Sequence, residues 1–320
     1  MRSVILTYKT PIQLLKLFFL GIFIFYNINA NAQQVPHYAQ YMYNMQVLNP
    51  AFVGSKSDLN ATLLSRGQWI NVDGAPQTTT FSLNTRLNSG FGLGTTVISD
   101  QIGLLDNTNI NLDVSYTIPT SQNGRLALGL KGGIAFYNND LVSGITVDNE
   151  VYASTSGQFF DLGFGMLYST NKYYVGLSAM NLFESPMYFL GNDLSSIKGL
   201  ERANYFLTGG TVFDISKFGD VKFLPSTMIK YTPTLPISID LNANFRFNNV
   251  FEVGVSYRHQ NSVSAMASVI LYNRIRIGYA YENYFTTAVQ NLNSHEIILR
   301  IDLKLNRKNK WLFLDCCSFK

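Results

Sequence analysis

Histidine and serine are the residues of this chain that could act together in hydrolysis. The sequence contains three histidines, His37, His259 and His295, and serines lie near two of them, at Ser256 and Ser294. A hydrolase needs a nucleophile, a base and an orienting group within hydrogen-bond reach. A phospholipase of the membrane-barrel type would place serine and histidine together on the lipid face, whereas the local alternation puts Ser256 on a polar face. We therefore predict no catalytic residue and no enzymatic activity.

Metal and cofactor chemistry has equally little support in the residue types and their spacing. The carboxylates of Asp140, Asp148 and Glu150 could bind calcium, but a solvated loop is the simpler interpretation of this group. Cys316 and Cys317 are adjacent near the C-terminus, so they cannot cross-link a core or supply a four-ligand metal site. No glycine-rich phosphate-binding loop follows a strand. The sequence thus predicts neither a metal nor a cofactor.

The composition describes a chain with little charge. Of its 320 residues, 47% are hydrophobic and 14% are charged, against about 25% charged residues in an ordinary soluble domain. Such an apolar chain is not expected to be disordered. The 24 basic and 20 acidic residues are too balanced for a nucleic-acid-binding protein. The 19 tyrosines and 23 phenylalanines favour strands.

Residues 1–32 have the three parts of a secretory signal peptide. Arg2 and Lys9 precede the apolar run Leu14–Tyr26, which Lys16 interrupts, and Ala30–Ala32 supplies the small-residue cleavage pattern. The apolar run is shorter than the about 20 residues that a helix needs to cross a bilayer. We predict cleavage after Ala32 and export from the cytoplasm.

The elements that would position any site are strands, because apolar and polar residues alternate with a period of two. This alternation runs through Asn109–Ile118 and through Ile237–Phe247, so each segment has one apolar and one polar face. Runs of about 10–12 residues exceed the about 5–6 of a soluble sandwich strand and fit tilted membrane-spanning strands. An exported chain with so few charges is therefore expected in an outer membrane, as a β-barrel in contact with lipid.

Counting these runs predicts an all-β fold, a single antiparallel transmembrane β-barrel of about fourteen strands. We expect the barrel over residues 58–305, an N-terminal plug-like or periplasmic segment over 33–57, and a basic C-terminal tail over 306–320. Connections after even-numbered strands are short, and the two longest loops, 139–156 and 184–201, follow odd-numbered strands, as in bacterial barrels with short periplasmic turns. The strands are predicted to begin near Asp58, Gln77, Gly90, Asn107, Gly124, Gly157, Tyr173, Arg202, Asp220, Pro236, Val250, Asn261, Asn273 and Ser294.

Charged residues on the polar faces of these strands are expected to point into the lumen. A basic residue facing lipid at the bilayer midplane would cost about 2–4 kcal/mol. The charges could pair across strands and fill the interior, or they could line a pore, and the sequence leaves both possibilities open. The set consists of Lys131, Asp240, Arg246, Glu252, Arg258, Arg274, Arg276, Glu282 and Arg300.

Four short motifs give the chain a family resemblance. They are QYMYNMQVLNPAFVGS (Gln40–Ser55), RGQW (Arg66–Trp69), DGAPQT (Asp73–Thr78) and SHEIILR (Ser294–Arg300). In this order and spacing they resemble the PorP/SprF family of outer-membrane proteins. The family-motif residues, which are structural or partner-contact candidates, are Asn49, Pro50, Arg66, Gln68, Trp69, Asp73, Gly74, Pro76, Thr78, His295 and Glu296.

The resemblance implies a non-enzymatic role with the type IX secretion system and, in gliding bacteria, with the gliding machinery. Its partners would be secretion components and a large secreted adhesin, which we expect the two long outer loops to hold. The alternative is a plugged channel for small solutes across the outer membrane. Two features depart from the family: Gly67 stands where asparagine is common, and the tail after Leu305 is longer than usual.

Overall fold

The computed structural model of this chain describes residues 37–55, 59–70, 72–87, 90–139, 155–183, 185–189, 197–201, 203–216, 220–233, 235–285 and 293–303. The predicted signal peptide, most of the loop 139–156 and the predicted C-terminal tail lie outside these residues. Within the described ranges, no helix is long and apolar enough to span a membrane.

Strands make up most of the described chain, because the two-residue alternation continues through it. Every strand pair in these residues is antiparallel. The strands are β1 (Leu59–Gln68), β2 (Gln77–Arg86), β3 (Phe91–Ile102), β4 (Leu105–Pro119), β5 (Arg125–Asn139), β6 (Thr155–Ser169), β7 (Tyr173–Met180), β8 (Ser185–Phe189), β9 (Ile197–Glu201), β10 (Asn204–Thr211), β11 (Phe213–Asp214), β12 (Val221–Tyr231), β13 (Ser238–Phe247), β14 (Phe251–Arg258), β15 (Ser262–Leu271), β16 (Ile275–Tyr284) and β17 (Asn293–Leu303).

Fourteen strands of the described chain close into one barrel. β1 pairs with β2 on one side and with β17 on the other, so the first and last strands meet in a seam. β10 pairs with β7 and β12, and the short β11 continues β10 alongside β12. β8 and β9 form a separate two-stranded sheet. The predicted all-β barrel is confirmed, and each predicted strand start lies within two residues of an observed one.

The wall has its polar face inside and its apolar face outside. In β4, the side chains of Leu112 and Val114 are 66% and 43% exposed, whereas those of Asp113 and Ser115 are 1% and 2% exposed. This is the reverse of a soluble protein, in which charged residues are rarely fully buried. It is the arrangement expected of a wall solvated by hydrocarbon.

Tight turns define one end of the barrel. Asn248 and Asn249 join β13 to β14 with φ of 51° and 54°, and Tyr272 and Asn273 join β15 to β16 with φ of 53° and 53°, which is the pattern of a type I′ hairpin turn. We call this the turn end, because β1 also begins and β17 also ends there; the opposite end is the loop end. Arg274 follows the second turn and is exposed. The prediction that it faces the lumen is wrong, because β16 starts only after it.

The core of the barrel is supplied by the chain that precedes β1. Residues 37–55, here called the inner segment, form three short 3-10 turns at 41–43, 45–47 and 50–52. Tyr41, Met42 and Ala51 are at most 2% exposed and pack within the cluster that fills the barrel interior. The inner segment carries no acidic or basic side chain apart from its first residue, His37. The barrel therefore surrounds a nearly uncharged stretch of chain.

Candidate functional site

The candidate site is the lumen, where the wall meets the inner segment. The segment runs from the loop end toward the turn end, because its early residues contact Glu296 and its Gly54 carbonyl accepts a hydrogen bond from Arg86 at the end of β2. Glu296 Oε1 and Oε2 accept the backbone N–H groups of Ala39 and Gln40 at 2.7 and 3.0 Å. A carboxylate that bridges two backbone donors makes a strong, charge-assisted anchor.

Further wall side chains bind main-chain carbonyls along the inner segment. The Arg300 guanidinium donates to Tyr43 O at 2.8 Å, and the Lys131 ammonium donates to Gln46 O at 3.4 Å. The hydroxyls of two serines, Ser178 and Ser115, donate to Leu48 O at 2.6 Å and to Val53 O at 2.5 Å. The segment has almost no regular structure of its own, so its buried backbone groups are paired by the wall.

Three tyrosines of the inner segment have partners on different parts of the wall. The Tyr38 hydroxyl lies 2.7 Å from Thr80 Oγ1, and the Tyr41 hydroxyl accepts from Asn242 Nδ2 at 2.8 Å. The Tyr43 hydroxyl donates to Glu252 Oε1 at 2.6 Å, and the Arg276 guanidinium lies 4.2 Å from its ring centroid. This last arrangement combines a charge-assisted hydrogen bond with a cation–π contact. Burial raises the pKa of all three hydroxyls.

Two amide side chains fix the middle of the segment. Gln46 Nε2 donates to Asp113 Oδ2 at 2.9 Å, and its Oε1 accepts from Asn84 Nδ2 at 2.7 Å. Asn49 accepts from the Ala51 N–H at 2.9 Å and so caps the turn 50–52, with proline at the first position as helical turns prefer. Asn49 Nδ2 also donates to two wall carbonyls, at 3.1 and 3.2 Å. The motif residues Asn49 and Pro50 therefore shape a turn inside the barrel.

At the loop end, buried charges of opposite sign pair across the strands of the wall. Arg66 on β1 pairs with Glu296 on β17 and with Glu282 on β16, the latter at 2.6 Å. Arg258 on β14 pairs with Glu282 at 2.9 Å and with Asp240 on β13 at 3.0 Å. We call these five residues the loop-end network. None of these side chains is more than 4% exposed, so removing one member would leave a buried charge uncompensated.

A second set of charges lies near the turn end. Glu252 accepts from Arg246 at 2.7 Å and from Arg276 at 3.2 Å, and Arg300 pairs with Asp302 at 3.2 Å. We call these five residues the turn-end network. Between the two networks, Lys131 pairs with Asp113 at 3.3 Å. Every predicted lumen charge except Arg274 lies buried inside the wall.

His37 stands at the loop end of the inner segment, close to three cations of the wall. Burial lowers the pKa of its imidazole well below the ordinary value, and the charges of Lys230, Arg258 and Arg66 lower it further. Its Nδ1 is buried and has no hydrogen-bond partner among the residues that the structure describes. The ring is therefore neutral in this structure at neutral pH.

The motif residues separate into a lumen group and a rim group. Arg66, Thr78 and Glu296 are buried in the lumen with Asn49 and Pro50. Gln68 and Pro76 lie at the loop end, where Gln68 Nε2 donates to the Tyr284 hydroxyl at 3.3 Å. Trp69, Asp73 and Gly74 are exposed in the loop between β1 and β2, and Trp69 and Gly74 have φ of 47° and 74°. The Nδ1 of His295 lies 2.6 Å from the Tyr279 hydroxyl, outside the lumen.

Three residues of the rim group line a cavity of about 400 Å³. Gln68, Asp73 and Gly74 line it together with Gln77 and Gln101, and the Gly103 N–H donates to Gly74 O at 2.9 Å. The lining carries carboxamides and one carboxylate. The motifs named Gln68, Asp73 and Gly74 as structural or partner-contact candidates. They gave no indication that the loop between β1 and β2 would meet the loop between β3 and β4 around a cavity.

The residues considered for hydrolysis do not converge. Ser256 is buried in the lumen, whereas His259 is exposed and its ring lies 6.3 Å from that of Tyr257. In the described part of the chain, no three His, Cys, Asp or Glu residues form a group that could hold a metal ion. Asp140, Asp148 and Glu150 lie outside that part.

Sequence reasoning named Glu296, Arg300 and Lys131 but missed the two serines that also bind the main chain of the inner segment. Ser115 and Ser178 are small polar residues at inward positions of ordinary strands, and nothing in their neighbours distinguishes them. Tyr43 and Gln46 belong to the quoted motif QYMYNMQVLNPAFVGS, but their partners lie on distant strands. The one available signal was the uncharged, amide- and tyrosine-rich composition of residues 37–55.

Comparison with known proteins gives one family match. The sequence model of the family described as type IX secretion system membrane protein PorP/SprF matches residues 30–301. No curated protein matches the chain.

Solved structures with a similar fold include membrane channels. The chain is 13% identical to the CymD monoaromatic hydrocarbon channel, with a TM-score of 0.50 over 85% of this chain and 94% of that one. It is 7% identical to the outer membrane protein Omp33 of Acinetobacter baumannii, with a TM-score of 0.46 over 78% of this chain and 100% of that one. At such identities the likeness concerns the fold alone.

Proposed function

The chain belongs to the PorP/SprF family of type IX secretion system membrane proteins, and from this premise we propose that it is a non-enzymatic outer-membrane barrel that assists the secretion or surface anchoring of a large adhesin. In bacteria that glide, the same role would serve gliding motility. The proposal includes export by a cleaved signal peptide, so the mature chain would begin at Gln33. N-terminal sequencing of the membrane-inserted protein tests that part.

The observation that carries the proposal is the occupied lumen. The inner segment lies inside the wall with its backbone and its tyrosine hydroxyls bonded to strands around the barrel. The wall charges pair mainly with each other. An interior filled in this way favours a barrel that presents surfaces to other proteins over one that passes solutes.

The surfaces available for docking lie at the two ends. At the loop end, the loop between β1 and β2 exposes apolar side chains, with Ile70 and Val72 55% and 42% exposed. The β8–β9 hairpin also lies between two wall strands whose connection is at this end. Exposed apolar groups outside the hydrocarbon zone are typical of protein interaction sites. We assign the loop end to the cell exterior and the secreted adhesin, and the turn end to the periplasm and the secretion components.

Replacing residues 184–201 with a short glycine–serine linker tests this assignment. We expect the barrel to reach the outer membrane normally while the amount of adhesin on the cell surface falls and its co-purification with the barrel is lost. The control replaces the exposed turn residues Tyr272 and Asn273 with Asn-Gly, which preserves the turn type. Unchanged adhesin display after the hairpin replacement would overturn the docking role of this loop.

The second candidate function is a plugged channel for small solutes. The observation that favours it is the polar lining of the wall, including Asn111, Ser115 and Ser268. If the inner segment left, these groups would face water. Single-channel conductance separates the two candidates, because only an open lumen would carry a large, steady current.

A further inference from the structure

We propose that the lumen is a polypeptide-binding site, occupied at rest by the inner segment and able to exchange it for an uncharged segment of a secreted polypeptide. The inference concerns what the wall recognises, and it rests on the proposed function only for the source of the incoming segment. The chemistry of the site is that of backbone amides, tyrosine hydroxyls and carboxamides.

The wall recognises main-chain groups, which every polypeptide presents. Glu296 accepts two successive backbone N–H groups, and Arg300, Lys131, Ser178 and Ser115 each donate to a backbone carbonyl. These contacts extend from the loop end to the turn end. They do not depend on which side chains the bound segment carries, so they would serve another chain equally well.

The inner segment depends on the wall for its conformation. Its three 3-10 turns are each three residues long, and runs this short have little stability alone. It contributes no strand to the sheet, so the barrel remains closed by its own pairings whether or not the segment is present. The segment thus resembles a bound peptide more than a structural element of the wall.

The preference for an uncharged segment follows from how the wall charges are satisfied. Arg66 and Arg258 share Glu282, and Arg246 and Arg276 share Glu252. A charged side chain introduced among these pairs would be buried without a partner of its own, which is costly. Tyrosine and carboxamide side chains can instead donate to or accept from the paired groups, as Tyr43 does with Glu252.

The inward surface of the wall also leaves space for a main chain. A Cβ added to Gly129 on β5 would overlap the Ala51 amide nitrogen, and one added to Gly165 on β6 would overlap the Asn49 side chain. Glycine at these positions lets a polypeptide lie directly against the sheet. The groove is therefore matched to a backbone in shape as well as in hydrogen bonding.

The resident segment is joined to the wall at one end, since three residues after Ser55 lead to Leu59 at the start of β1. A short tether gives it an effective concentration on the order of 1 mM. A competing peptide that is free in solution at micromolar concentration would therefore not displace the inner segment. An incoming segment must therefore be held nearby, which a partner docked at the barrel rim would satisfy.

Photo-cross-linking on the full-length protein in detergent tests the proposal. The probe is a synthetic peptide of residues 37–55 with benzoylphenylalanine in place of Tyr43, used at about 1 mM to match the tether. We expect adducts on β14 and β16, close to Glu252 and Arg276, at a yield roughly tenfold above that of a peptide of the same composition in permuted order. Equal yields for the two peptides, or no adduct above background, would overturn the proposal.

A reversible lock supplies the matched control. Asn44 Nδ2 lies 3.0 Å from Ser82 Oγ, so Asn44→Cys with Ser82→Cys, in a background with Cys316→Ser and Cys317→Ser, should join the segment to β2. Oxidation should abolish the adduct and reduction should restore it. Labelling that is as strong in the oxidised form would show that the peptide binds elsewhere and would refute the proposal. The adhesin-display assay of the 184–201 replacement is independent of this result, so the two failures are distinguishable.

Discussion

Arg66 illustrates how one side chain can hold several strands. It joins β1 to β17 across the seam through Glu296 and to β16 through Glu282. Its side chain is fully buried, so the ion pairs are protected from solvent screening. Its place in the RGQW motif is thus explained by its position where the barrel closes.

Replacing Arg66 with methionine should strongly destabilise the barrel. Within the described residues, the change leaves Glu296 without its only cationic partner and removes one of the two cationic partners of Glu282. Breaking a buried ion pair in this way costs about 3–5 kcal/mol. Urea unfolding in detergent measures the effect. Arg274→Ala in the exposed turn should change the free energy of unfolding by less than about 0.5 kcal/mol, and a similar loss in both variants would contradict the assigned role.

His37 should make the docking of the inner segment sensitive to pH. Lys230, Arg258 and Arg66 face the imidazole, and burial with these cations lowers its pKa, so docking requires the neutral ring. A released segment binds a proton below the ordinary pKa of about 6.5, so docking weakens as pH falls below that value. Between pH 7.5 and 5.5 the released fraction should rise about tenfold.

Hydrogen-exchange protection of the inner segment, corrected for the intrinsic pH dependence of exchange, measures this release. His37→Gln keeps a polar side chain that does not titrate, so its protection should be nearly constant over the same range. An equal pH dependence in the variant and the original protein would assign the effect to other groups.

For single residues, the sequence predicts which side chains face inward but not which side chains meet. Alternation places Lys131, Arg246 and Glu252 in the lumen, because strand side chains alternate between two faces. The pairs themselves depend on barrel closure, and Arg66 and Glu282 are 216 residues apart. Arg274 was assigned wrongly because a difference of two residues in a strand start moves a side chain from the wall into a turn.

Among the elements, β5 offers a direct test of the close approach between wall and inner segment. Gly129→Ala would place a methyl group against the Ala51 backbone, and overpacking of this kind costs about 1–3 kcal/mol. We expect the segment to become accessible to protease while the barrel remains folded.

Gly132→Ala is the matched control on the same strand. A Cβ at Gly132 meets nothing within 4 Å, so the substitution tests the strand's tolerance of alanine without touching the segment. Equal protease sensitivity in the two variants would show that the effect comes from the strand itself and not from the contact with Ala51.

The strands were the most predictable elements, because each membrane-spanning strand carries its own alternating pattern. The β8–β9 hairpin was missed and assigned to a loop, since its two strands of five residues are too short to establish a period. The path of the inner segment was equally inaccessible from sequence. Its composition suggested burial, but its partners are set by strands that fold around it.

For the molecule as a whole, the inner segment should determine whether the barrel conducts. The full-length protein in a planar bilayer should show little steady current, because its lumen is occupied. Removal of residues 37–54 should give a large, steady conductance through the polar interior. Heat-modifiable gel mobility of the deleted form checks that the barrel has folded. A large current from the full-length protein would favour the solute-channel function over docking.

The long reach of the lumenal contacts constrains the order of assembly. The hydrogen bonds that the Ala39 and Gln40 N–H groups donate to Glu296 span 257 and 256 residues, and contacts of such sequence separation form slowly. The inner segment is synthesised before the wall, but it forms these hydrogen bonds only after the final strand, β17, has been synthesised. An assembly factor that keeps the growing sheet open would have to hold the inner segment on the concave side of that sheet. A barrel that closed earlier would exclude the inner segment from its own lumen.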